Sequence, residues 1–197
     1  MTSRERIIDA ATRRFVRDGV LAARVEDIRR DASVSVGALY HHFADKQALH
    51  AEAFVRALAD YQSGFVEVIQ RSEKAERGIK EAVRHHMRWV AANRDGTALL
   101  LGDPPSGAHA RERLAEQNRG FFTAVLRWWR IHAAYGSLRE LDPALIYALW
   151  LGPAQEYCRQ WLAGRNSKLP GIAAEPGAIA DELADAAWAT LNGGPLP

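Results

Sequence analysis

A chain of 197 residues is long enough to bury a core and to hold one or two domains, and 48% hydrophobic with 25% charged residues is the composition of a soluble globular protein. The formal net charge of +2 lies wholly in the first 50 residues, where nine Lys and Arg face seven acidic residues and leave 17 of each sign for the rest, an excess too small by itself to diagnose a nucleic-acid binder. A single cysteine, Cys158, excludes an intrachain disulfide; the charged N-terminus lacks a signal-peptide core and no apolar run has the length of a membrane span, so the expected location is cytoplasmic.

Residues 3 to 18 read as a helix with Ser3 as its cap, Ile7, Ala11 and Phe15 on one stripe, and Gly19 where a left-handed C-terminal residue is expected. Arg13, Arg14 and Arg17 read as a solvated face of it, with a nucleic-acid contact as the sharper alternative. Val25, Ile28 and Ala32 then give residues 25 to 32 one apolar side. In SVSVGALYHHFADKQAL, residues 33 to 49, Ser35 caps a second short helix, and Val34 and Leu39 make the pair of a hydrophobic staple. Leu39 and Phe43 point inward, which leaves Gly37, Ala38, Tyr40, His41 and His42 outward. The small residues and unpaired N–H groups at the helix start favour close approach of an anion such as phosphate. Asp45 caps the next helix, so Lys46 stands where a cation gains nothing from the helix dipole; a phosphate would explain it.

Two short helices joined by Ala32 to Ser35 have the spacing of a helix-turn-helix. The run VEDIRRDASVSVGALYHHFADKQAL, preceded by RIIDAATRRFVRDG, resembles the N-terminal DNA-binding domain of the tetracycline-repressor (TetR) family, from residue 4 to about 50. The resemblance implies that Tyr40, His42 and Lys46 contact the DNA backbone and that Val36, Gly37, Ala38 and His41 face base edges. Three positions depart from the family pattern. Ser33 replaces a common turn Gly, Arg24 replaces the Thr that starts the second helix, and Ala38 replaces the Thr before Leu-Tyr. Arg24 exchanges a cap for a charge near phosphate, and Ser35 joins the DNA-binding set as the cap of the recognition helix.

From Lys46 a helical pattern continues through Leu49, Phe54, Leu58, Tyr61, Phe65 and Val68 to about Arg71, long enough to leave the small N-terminal bundle. Residues 77 to 93 follow as a helix with Ile79, Val83, His86 and Val90 on one side; then come the short apolar TALLLG and the stop DPPSG. A long helix is expected from Ala108 to about Tyr135, with stripes Phe121, Val125, Trp128, His132 and Phe122, Leu126, Trp129, Ala133. Asp142 and Pro143 open an apolar helix that Pro153 should kink, and residues 166 to 175 read as a loop. The last helix, Pro176 to Leu191, carries Ile179, Leu183, Ala186 and Thr190 on one stripe. The fold class is therefore all-α, about nine helices: a three-helix helix-turn-helix domain over 1–50 and a larger helical domain over 51–197, which the resemblance implies is for ligand binding and dimerisation.

Beyond residue 50 no phosphate loop, zinc motif or nucleophile elbow occurs, so no enzyme, cofactor or metal is expected. Adjacent His85 and His86 face different sides of a helix and cannot share a metal; one is expected at the surface and the other hydrogen-bonded in the core. All six tryptophans fall in the second domain. An aromatic stripe is ordinarily core, yet pockets between helices are also apolar and aromatic. His86, Trp89, Phe122, Trp129, Tyr147 and Gln155 are the candidate lining for an apolar or aromatic effector. The resemblance implies a homodimer through the helices starting at Asp142 and Pro176, bound to a pseudo-palindromic double-stranded operator as a repressor. The alternative is a C-terminal domain that is an enzyme or a non-inducible interaction module.

Overall fold

The computed structural model describes residues 1–164 and 174–194 and is all-helical among them, apart from one isolated bridge between Leu138 and Asn192. Ten α-helices follow in order: α1 (Ser3–Asp18), α2 (Val25–Asp31), α3 (Val36–His42), α4 (Lys46–Gln70), α5 (Ala75–Ala92), α6 (Arg94–Leu101), α7 (Ala108–Ala134), α8 (Pro143–Trp150), α9 (Gly152–Gly164) and α10 (Ala180–Leu191). A 3-10 turn, Pro176–Ile179, precedes α10. The loop expected over 166–175 lies outside the described residues up to 173. Among the described residues no helix is long and apolar enough to cross a membrane.

The chain forms two compact units, Met1–Asp60 with Asp95–Asn118, and Tyr61–Arg94 with the residues from Arg119 onward. In the first, Ile7, Ala11 and Phe15 of α1 bury against Ile28, Leu39, Phe43, Leu49 and Phe54, as the one-turn spacing of the α1 stripe demands. Leu99 joins this core, with Leu100 and Leu114 packed on it. Glu52 accepts from Arg113 and Arg4, each at 2.7 Å; burial raises its carboxyl pKa, but the two guanidiniums outweigh that and hold it low.

The cap of α1 is Thr2, not Ser3. Thr2 takes the Glu5 N–H at 3.2 Å and gives its own N–H to the Glu5 carboxylate at 2.7 Å. Glu5 stands three residues after Thr2, so only that register closes a capping box and satisfies two donors. Arg14 is not a solvated side chain: it is 17% exposed and donates to Asp31 of α2 and to Asp18, fastening the two helices.

The turn between α2 and α3 contains the only non-glycine residue at positive φ among those described, Ser33 at 53°. The backbone thus adopts the left-handed conformation without glycine, and Arg29 braces it by donating to the Val34 carbonyl at 2.8 Å. That conformation costs an L-residue about 1–2 kcal/mol, part of which glycine returns through its freer unfolded chain. Ser33→Gly is therefore expected to raise stability by about 0.5–1 kcal/mol in a urea titration. A loss instead would assign the serine side chain to holding the turn.

In the second unit Ile79, Val83, His86 and Val90 of α5 are buried as expected. α10 turns Ala180, Ala184, Ala187 and Leu191 inward, one residue off the expected stripe, while Ala186 is exposed and Leu183 half-buried. Its alanine face packs on α5, an assembly pinned by Lys80 to Asp185 at 2.8 Å and Arg84 to Asp181 at 2.6 Å. Pro153 does more than kink its helix: Leu151 caps α8 and a new helix starts at Gly152. Proline has no N–H for the carbonyl one turn back, and the glycine beside it adds freedom at the same point.

Candidate functional site

The expected DNA-binding residues stand on α3, at the N-caps of α2 and α3, and at the start of α4 in the first unit. Ser35 caps α3 by accepting the Ala38 N–H at 3.1 Å, and Asp45 caps α4 by accepting the Ala48 N–H at 2.7 Å. Between these fixed ends Leu39 and Phe43 are buried, while Val36, Gly37, Tyr40, His41 and His42 face outward. Val36 is 55% and Tyr40 56% exposed, large fractions for apolar side chains at i and i+4 on one helix. Ala38 is half-buried and packs on the core, so of the four expected base-edge positions it is the least accessible. His41 and His42 meet edge to face at 5.2 Å. Arg24 is the exposed N-cap of α2 and makes no side-chain cap bond.

Lys46 has partners inside the protein. Its ammonium donates to the carbonyls of Leu21 at 2.7 Å and Ala23 at 3.2 Å, and so ties the start of α4 to the loop before α2. That supplies a structural reason for a cation at an unfavourable helix end; an ammonium has three donors, so one is left over.

The six expected effector-lining residues all belong to the second unit. His86 and Trp89 are buried, and both meet Tyr61: its hydroxyl lies 3.0 Å from His86 Nδ1 and its ring 5.2 Å from Trp89. Tyr147 donates to Gln155 at 2.5 Å and is 44% exposed. Phe122 is 47% exposed and touches Phe121, whereas Trp129 is buried, donates to the Arg139 carbonyl at 3.2 Å and packs on Trp150. Of the six, Trp129 borders an open pocket of about 280 Å³ with Arg130, Ala133, Ala134, Glu140 and Leu141.

Of the 85–86 pair, His86 is the one buried and hydrogen-bonded in the core, and His85 is half-buried. The His85 ring stacks on Tyr61 at 5.6 Å, with Nε2 3.0 Å from the Tyr61 carbonyl oxygen. Tyr61 was legible only as one apolar position of α4; that it brackets both imidazoles is a contact across helices that spacing does not encode. Among the described residues no group of three potential metal ligands occurs.

His86 Nε2 is buried without a hydrogen-bond partner. Burial, with His85 adding repulsion, pushes its pKa down to about 4, so the folded state holds it neutral. An unfolded histidine titrates near 6.5, so the unfolded chain binds the proton first on acidification. The His86 contribution is complete above pH 6.5 and is lost toward pH 4, at about 1.4 kcal/mol per pH unit. Urea titrations at pH 5 and 7 should show His86→Gln with a stability slope one proton shallower than the native chain. An identical slope would place the native imidazole in contact with water.

Residues 7–53 match the family described as bacterial regulatory proteins, tetR family. The HTH-type transcriptional repressor AcnR of Corynebacterium diphtheriae is 30% identical over 146 residues, 71% of this chain and 70% of that protein. Among solved structures, the fatty acid degradation regulator FadR of Bacillus halodurans superposes with a TM-score of 0.78 at 18% identity, over 95% of each chain. FadR of Bacillus subtilis, in complex with stearoyl-CoA, gives 0.76 at 19% identity, over 93% of this chain and 96% of that one. At such identities these two likenesses show the fold.

Proposed function

The chain belongs to the TetR family of DNA-binding transcriptional regulators, and on that premise we propose that it is a homodimeric repressor, released from a pseudo-palindromic operator by a small, largely apolar or aromatic effector. The observation that carries the reading is the outward face of α3, capped at Ser35 and held by buried Leu39 and Phe43, with an aromatic and imidazole surface standing free of the core. Residues 1–50 are assigned to DNA and 51–197 to effector and dimer. Arg24, Ser35, Tyr40, His42 and the third donor of Lys46 face phosphates; Val36, Gly37 and His41 face base edges in the major groove, with the half-buried Ala38 at their margin.

Two features support the dimer. Leu145 and Tyr147 on α8 are each 44% exposed, and α10 leaves Leu183 and Ala186 off its inward face. Paired with their two-fold copies, α8 to α10 would bury these residues in a helical bundle. Half-sites would then lie about 34–36 Å apart, one turn of DNA. His86, Trp89, Phe122, Trp129, Tyr147 and Gln155 stay the proposed effector contacts. The relatives are regulators, which disfavours a catalytic reading of the C-terminal half. The cytoplasm, where the operator is, is the assigned location.

The test combines anisotropy titrations on duplex DNA across salt concentrations with thermal melts over an effector panel that includes stearoyl-CoA. Salt-sensitive duplex affinity from a dimer is expected, and an effector at 100 times its dissociation constant should add about 2.7 kcal/mol while releasing the duplex. A monomer at working concentrations, or duplex affinity indifferent to salt, would sink the reading.

A further inference from the structure

Resting on the reading of α3 as the element that enters the major groove, we infer that its first turn recognises the 5-methyl group of thymine through Val36, and that the preferred duplex carries thymine where this turn meets the base edges.

The argument starts from what α3 lacks. In the major groove guanine and adenine are read by Arg, Lys, Asn or Gln, and cytosine by a carboxylate. The helix Val36–His42, VGALYHH, has none of these. The neighbouring guanidiniums are engaged: Arg29 with Glu26 at 2.8 Å and the Val34 carbonyl at 2.8 Å, Arg30 with Asp27 at 3.4 Å. The Ser35 oxygen already accepts the Ala38 N–H, and the Ala38 methyl packs inward. The first turn therefore presents two things: the isopropyl group of Val36, more than half exposed, and Gly37, where an added Cβ would meet nothing within 4 Å.

Thymine alone among the bases places a methyl group in the major groove, and apolar side chains are its readers. Val36 stands proud of a low surface, because Gly37 beside it has no side chain to hold the backbone away from the base edges. One turn on, Tyr40 and His41 bound this apolar step on the side where polar contacts resume.

The test uses the full chain. A random-sequence duplex library is enriched by binding, the preferred duplex is synthesised, and each thymine is replaced in turn by deoxyuridine, which removes only the methyl group. At one position per half-site the substitution should weaken binding about fourfold, the value of one buried methyl-sized group. The exposed-site variant Val36→Ala should melt like the native chain, bind the enriched duplex about fourfold more weakly, and lose most of its sensitivity to deoxyuridine there. Indifference of the native protein to every deoxyuridine, or a Val36→Ala variant as sensitive as the native protein, would overturn the inference while leaving DNA binding intact. If no duplex is enriched and none binds with salt sensitivity, the proposed repressor function falls and this inference with it.

Discussion

Trp150→Ala is expected to destabilise the protein by about 3–5 kcal/mol. Trp150 is 2% exposed, and its ring lies 5.8 Å from Trp128, 5.6 Å from Trp129 and 5.4 Å from Phe65. Its indole N–H donates to the Ile79 carbonyl at 3.1 Å. One side chain from α8 thus meets α4, α5 and α7. Alanine removes its transfer free energy and leaves a cavity walled by rigid aromatic rings, which collapse poorly around a gap. Because residues of three other helices meet at this side chain, relaxation by any one of them breaks contacts with the others. For a chain of this length the loss corresponds to roughly 10 °C or more in melting temperature. Thermal and urea melts at one fixed protein concentration measure it, since a dimer adds a concentration term. Trp150→Phe keeps part of the volume and should lose less than half as much. An alanine variant within 1 kcal/mol of the native chain would show that the aromatic cluster does not hold this unit together.

What could be read from the sequence and what could not divides along local and non-local physics. The caps at Ser35, Asp45 and Asp142 depend on a side chain and an N–H two or three residues away, and all three are made. The cap of α1 was misassigned to Ser3 because two adjacent residues can both cap, and the carboxylate of Glu5 decides between them. The inward face of α10 was misplaced by one residue for a different reason. Its sequence is apolar on two sides, and only the approach of α5 selects the alanines. Lys46 and Arg14 looked free because their acceptors lie far away in sequence, at Leu21 and Ala23 for one and Asp31 for the other. The same holds for Tyr61, whose position between His85 and His86 follows from how α4 and α5 pack, not from either helix alone.

Gly37→Glu should have opposite effects on folding and on DNA binding. In the free protein the substitution is benign, since a Cβ at position 37 meets nothing within 4 Å and the residue lies in the first turn of α3. Replacing a helical glycine returns about 0.5–1 kcal/mol, and an acidic group near a helix N-terminus adds a few tenths more. A thermal melt should therefore be unchanged or slightly raised. Against a duplex the same carboxylate meets the field of the phosphates at the point of closest approach, where like charges cost several kcal/mol. Affinity for the enriched duplex is expected to fall at least about 100-fold. Gly37→Lys separates bulk from charge: if steric approach dominates it loses sequence preference as well, whereas if charge dominates it binds random duplex more tightly than the native chain does. A Gly37→Glu protein that binds with native affinity would remove the first turn of α3 from the groove.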